Sequence, residues 1–143
     1  MINKNKQTVQ RFIDEVWNNK NFDVLDEILH PDYRDHSFLS SVPPTKEGRK
    51  FWIQNTSAAF DHETQIESIV AEGDEVAVKI RFSVAHIGTW RRIEATGRRA
   101  SIKGFRFFSF KDGKIAAQHA LIDGEALQSQ LTEVYKGCEI VRS

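Results

Sequence analysis

The sequence predicts an α+β domain in which N-terminal helices pack on a curved, mainly antiparallel sheet that encloses a cone-like cavity. Apolar residues recur at helical spacing in the first part of the chain and at a spacing of two from Thr64 onward. Helices followed by a run of four strands fit α+β rather than alternating βαβ units. Asp112-Gly113, set between apolar runs rich in aromatic and branched residues, is a strong hairpin signal because a type I′ turn needs two positive φ angles.

The 143 residues suit a single domain over 1–143, and no repeat, linker or low-complexity tract interrupts them. A domain of this size buries roughly two-thirds of the surface its unfolded chain exposes. Twenty basic and twenty acidic residues cancel, with no polybasic block, so neither nucleic acid nor a membrane surface is an expected partner. Cys138 is the one cysteine, so no disulfide framework and no zinc site is expected. No signal-type segment opens the chain and no apolar run approaches ~18 residues, which together point to a cytoplasmic protein.

Val9, Phe12, Ile13, Val16 and Trp17 form one helical stripe over about 4–18. Asn21 is placed to cap a short second helix carrying Phe22, Leu25, Ile28 and Leu29, and Pro31 ends it by removing a donor and restricting His30. From Arg34 to Pro44 the chain reads as a loop of titratable and aromatic groups, and His36 within it is a candidate ligand contact, as is Tyr33 just before it. Thr45 suits the N-cap of a third helix with Phe51, Trp52 and Ala59 as its apolar stripe, Trp52 closing a pocket wall or packing in the core.

Strands follow at 64–71 and 76–87, joined by a turn at Glu72-Gly73-Asp74-Glu75. Val76, Val78, Ile80, Phe82, Val84 and His86 share one face, so His86 is either a satisfied core histidine or a candidate acid, base or donor. In the loop from Gly88 to Gly97, Trp90 is placed to cover a pocket mouth.

The hairpin strands run over about 102–111 and 114–122. Both faces of the first are largely apolar, Ile102, Phe108 and Phe110 on one and Phe105 and Phe107 on the other, which implies cover by helices on one side and by a partner subunit on the other. Arg106 stands out on this strand: a buried guanidinium must meet either an internal carboxylate or a ligand. Counting outward from the turn pairs Lys111 with Lys114 and Arg106 roughly with His119. His119 and Asp123 share a face but lie about 13 Å apart along an extended strand, too far for a dyad. Asp123 then reads as the N-cap of a last helix through Leu127 and Leu131.

Several motifs together resemble the SnoaL-like polyketide cyclases. They are Leu29-His30-Pro31-Asp32-Tyr33 with Asp35-His36, the run from Ala71 to Ala77, His86-x-Gly88, Thr96-Gly97-Arg98-Arg99, Gly104-Phe105, Asp112-Gly113-Lys114-Ile115 and Leu127-x-x-Gln130-Leu131. The resemblance spans nearly the whole chain and implies the NTF2-like (cystatin-like) fold and intramolecular aldol closure of an aromatic polyketide ester, without metal or other cofactor. Those cyclases commonly carry His, then Arg or Trp, then an acid/base Asp on the strand after the hairpin turn. An ungapped register puts Gln118, His119 and Ala120 at these positions, so the family carboxylate is missing, while Arg106 falls at a polar pocket position.

Two readings follow. As a cofactor-free cyclase or isomerase-type enzyme on a carbonyl compound, the chain would use His86 or His119 as base and Arg106 to stabilise an oxyanion. As a non-catalytic homodimer, it would hold a small apolar, aromatic or anionic molecule in a pocket touched by residues such as Phe108, Gln118 and Asp123. Convergence of His86, Arg106 and His119 favours the enzyme, and Arg106 sealed by Asp123 or Glu67 disfavours it.

Overall fold

In the computed structural model Asp112 and Gly113 have φ of 54° and 76°, the two positive values of a type I′ turn. They join β4 (Arg99–Lys111) to β5 (Lys114–Ile122). The structure describes residues 2–37, 42–136 and 139–142, with side chains as far as Thr132. Phe38 of the candidate loop and Cys138 lie outside the described residues.

The other strands of the main sheet are β1 (Leu29–Asp35), β2 (Phe60–Glu72) and β3 (Glu75–His86), in the order β1-β5-β4-β3-β2. Among the described strands only β1 and β5 pair in parallel; the meander from β2 to β5 is antiparallel as its alternating sequence requires. All six expected positions of β3, from Val76 to His86, are buried on the inner face, and so are Ile102, Arg106, Phe108 and Phe110 of β4.

Helices cover that inner face. α1 (Ile2–Arg11) runs on as a wider π-type helix through Phe12–Asn18, and every residue of the predicted stripe is buried. A 3-10 turn at Phe22–Val24 leads into α2 (Leu25–Ile28). α3 (Lys46–Ala59) passes directly into β2, and α4 (Gly124–Thr132) buries Leu127 and Leu131. No described helix is long and apolar enough to cross a membrane.

Several expectations are corrected. Leu29 to Asp35 is a strand rather than a helix end and loop: Pro31 is accommodated because β1 is an edge strand, where a missing N–H leaves no ladder bond broken. Asn21 and Thr45 stand before their helices without a side-chain capping bond. On α3 the buried stripe is Arg49, Ile53 and Ala59, whereas Phe51, two residues and about 200° from both Arg49 and Ile53, faces outward at 50 % exposure. The helix-to-strand change comes at Phe60, ahead of Thr64. Beyond α4 a second small sheet forms from β6 (Glu133–Lys136) and β7 (Glu139–Arg142), which sequence patterning did not indicate.

One further correction sets the site. Lys111 pairs with Lys114 as expected, but Phe110 pairs with Ile115 and Ser109 with Ala117, leaving Ala116 as a bulge. The extra residue moves the register by one. Arg106 therefore faces Ala120, and His119 faces Phe107 on the opposite side of the sheet.

Candidate functional site

Nine polar or charged residues are buried among the described residues, and five of them gather with Trp17 and Tyr33 on the inner side of the sheet: Asp35, Arg49, His62, Arg106 and Gln118. Asp35 ties β1, β5 and α3 together with the turn that follows it. Its Oδ2 accepts from the Tyr33 hydroxyl at 2.7 Å, from Gln118 Nε2 of β5 at 2.6 Å and from the Arg49 guanidinium of α3, while its Oδ1 accepts the Ser37 amide at 2.9 Å. Its own amide donates to Pro44 O at 2.9 Å.

Burial acts to raise the Asp35 pKa, but the Arg49 charge, the Tyr33 hydroxyl and the Ser37 amide outweigh it and hold the carboxyl below its ordinary value. Tyr33 moves upward, first through burial and then through the Asp35 charge. The network fixes Asp35 as an ionised acceptor with its lone pairs in use. It is not placed to take a proton from a substrate.

Arg106 is built differently. It is 4 % exposed and its guanidinium carbon lies 4.5 Å from the Trp17 ring centre, on a ring that Arg49 also approaches at 5.3 Å. Its Nε has no hydrogen-bond partner, and none of the ion pairs among the described residues involves it. Burial, reinforced by the Arg49 charge and opposed by Asp35 and Tyr33, lowers its pKa to about 9, so it is still a cation at neutral pH. Removing one partner of a buried charge pair typically costs about 3–5 kcal/mol, so a buried cation without an ion pair among the described residues is a candidate position for meeting an electron-rich atom.

His62 touches the other side of this group, its ring 6.0 Å from Trp17 and 5.5 Å from Phe82. Nε2 lies 3.0 Å from Ser57 Oγ and Nδ1 is buried without a partner. Burial first, and then the charges of Lys20 and Arg106, lowers its pKa to about 4, with Asp61 opposing. At neutral pH it is an unprotonated imidazole.

The predicted triad does not converge. His119 is exposed on the outer face, stacked on His36 with ring centres 4.6 Å apart. His86 is buried on the inner face, but eight residues along β3 from Val78, the partner of Arg106, which is roughly 26 Å at ~3.3 Å per residue. Its Nδ1 accepts the Thr96 amide at 3.2 Å, which puts the proton on Nε2, and that atom has no partner. Neither carboxylate expected to seal Arg106 does so: Glu67 pairs with Arg81, and Asp123 accepts the Ala126 amide at 3.0 Å, the capping role its position suggested.

The remaining candidates separate in the same way. Tyr33 and Gln118 belong to the Asp35 network. Phe108 is core, its ring edge-on to Phe12 at 5.9 Å. Trp52 is half-buried against the core formed by residues such as Phe12, Trp17 and Ile53, and Trp90 packs on Phe60 at 5.5 Å beneath the Arg91 guanidinium. Asp35, Arg49 and His62 escaped the sequence reading. The signal for Arg49 was present: a charge four residues before Ile53 and ten before Ala59 sits in the apolar stripe of its helix, as Arg106 does in its strand. Among the described residues no cluster of three metal-ligating side chains occurs.

The model of the family described as SnoaL-like polyketide cyclase matches residues 7–131. Among solved structures, the chain is similar to TsrD from Streptomyces laurentii, with 28 % identity, TM-score 0.80 and coverage of 90 % of this chain and 94 % of that one. A candidate SnoaL-like polyketide cyclase from Jannaschia sp. CCS1 aligns at 24 % identity and TM-score 0.81 over 91 % and 92 % of the two chains. IdmH from Streptomyces antibioticus, a candidate polyketide cyclase, aligns at 24 % and 0.80 over 89 % and 97 %. These likenesses show the shared α+β fold. No curated protein matches the sequence.

Proposed function

Because the chain belongs to the SnoaL-like polyketide cyclase family, we propose that its cone holds a small molecule bearing a carbonyl or anionic oxygen, with Arg106 meeting that oxygen. One observation carries this reading: Arg106 is buried against Trp17 with Nε unpartnered and without an ion pair among the described residues. Aromatic and aliphatic walls with a few convergent polar groups are what a small-molecule site needs.

A second reading makes the site an enzyme that works without a cofactor, and the state of His62 favours it. An unprotonated imidazole beside the same Trp17 ring can remove a proton α to a carbonyl, and Arg106 can stabilise the enolate or alkoxide that follows. His62 would then stand in for the family carboxylate, whose position is Ala120, directly across from Arg106.

A thermal-shift screen against aromatic polyketide esters, small carboxylic acids and steroid-like ketones tests the binding reading, since a ligand at 100 Kd adds about 2.7 kcal/mol. Compounds that bind are then incubated at length and examined by mass spectrometry. Turnover lost in His62→Phe with binding retained supports the enzyme, a loss of about 10²–10⁴-fold being usual for a general base. A bound compound recovered unchanged leaves a binding protein, and no shift with any class rejects both readings.

The same proposal includes a homodimer, formed through the outer face of the sheet. Val70, Phe105, Phe107 and Leu121 are exposed there around a groove of about 500 Å³.

A further inference from the structure

The buried charges do not balance. The chain has a formal net charge of zero, yet its buried ionised side chains are two arginines, Arg49 and Arg106, and one carboxylate, Asp35, among the described residues. Asp35 already accepts from Tyr33, Arg49, Gln118 and the Ser37 amide, and His62 is unprotonated. Among the described residues one positive charge is left over at Arg106.

The unpartnered atoms carry the same bias. Arg106 Nε and Trp17 Nε1, which meet at one ring, are donors only, and both are buried without an acceptor. Of the other orphaned atoms on this face, Gln118 Oε1 is fixed by its own amide nitrogen, which must face the Asp35 carboxylate, and His62 Nδ1 and Thr64 Oγ1 are neutral groups that leave the Arg106 charge uncompensated. A neutral ester supplies weak acceptors and leaves the charge in place. A carboxylate supplies acceptors alone, in the planar spacing that a guanidinium fork matches.

We propose that the molecule held in the cone is an organic monoanion, an ionised carboxylic acid on an apolar ring body, and that Arg106 selects it over the corresponding ester. This rests on the small-molecule reading above and departs from ester chemistry. The Arg106 guanidinium receives the carboxylate in the dry inner face, Trp17 Nε1 provides a second donor, and neighbouring apolar side chains receive the ring. Binding completes the charge that the apo protein leaves open.

Matched probes test it on the full chain: 1-naphthoate, methyl 1-naphthoate and 1-naphthamide, by calorimetry at pH 7. The acid is expected to bind at least tenfold more tightly than either neutral analogue, and Arg106→Met to remove that preference. Arg106→Lys, which keeps the charge and loses the fork, should retain part of it. An ester or amide that binds as well as the acid overturns the anion assignment and leaves the small-molecule reading standing. Failure of all three probes overturns both. A folded Arg106→Met that still prefers the acid overturns the role of Arg106, and if that variant does not fold, the wild-type comparison alone decides.

Discussion

Arg106 and Asp35 are buried neighbours with opposite consequences for stability. Asp35 is the shared acceptor of four donors, so Asp35→Ala should destabilise the fold by about 3–5 kcal/mol in denaturant unfolding. Arg106→Met removes a charge that has no ion pair among the described residues and replaces it with apolar volume, so the apo variant should stay within about 1 kcal/mol of wild type. A loss near that of Asp35→Ala would reveal an internal counter-charge. His62 adds a pH signature. Its folded pKa, about 4, lies below its ordinary 6.5, so the unfolded chain binds the proton more readily and stability present above about 6.5 is lost as pH falls toward about 4. Asp35 is also depressed, but its loss comes at lower pH, as the solution becomes acidic enough to protonate that carboxyl. Unfolding at pH 7 and pH 5 should therefore show a decline that His62→Phe largely removes. Legibility at this scale followed chemistry that breaks a pattern: Arg106 was visible because a charge interrupts an apolar row. Asp35 and His62 were not, because Asp35 fell in a stretch read as loop, where polar residues are ordinary, and His62 in the unassigned gap between the third helix and the strand expected from Thr64.

Elements were legible wherever one periodicity ran unbroken. The stripe of α1, the inner row of β3 and the Asp112-Gly113 turn all stand as read. The Ala116 bulge was not legible, since it depends on how two strands settle against their neighbours, and a shift of one residue exchanges the faces of a strand. That shift alone separates His119 from Arg106 and brings Ala120 opposite it. The bulge also sets where Ile122 lands. It pairs with Gly104, and a Cβ built on Gly104 would clash with Ile122 Cδ1 and lie 3.3 Å from Ile80 Cγ1. Gly104→Ala should consequently cost about 1–3 kcal/mol by overpacking, and Ile122→Val, which deletes the clashing methyl, should recover much of it. A double-mutant cycle by thermal or denaturant unfolding measures the coupling. Strictly additive losses would mean that the hairpin does not hold this register.

At the scale of the whole molecule the sheet has one face covered by helices and, among the described residues, one face bare. On the bare side Leu121 is 75 % exposed, Val70 61 %, Phe105 55 % and Phe107 40 %, with the stacked His36 and His119 rings at the neighbouring edge. Nothing in the single chain requires phenylalanines there, since a sheet with one wet face alternates apolar with polar residues, as β2 does through Asp61, Glu63 and Gln65. Burying the patch against a second copy would remove about 25 cal/mol for each Å² of apolar surface, and a standard interface hides roughly 800 Å² on each partner. The Arg106 side chain is buried on the face that the helices cover, so dimerisation through the other face should stabilise the scaffold while leaving the Arg106 group intact. Phe107→Asp combined with Leu121→Asp places a like-charged cluster at the centre of that face in both copies. Sedimentation at micromolar concentration should then show wild type as a dimer and the double variant as a folded monomer that keeps its affinity for small molecules. A wild-type monomer would leave the apolar face without a partner of its own kind. A variant that loses ligand affinity along with its partner would instead join the two faces of the sheet in a single function.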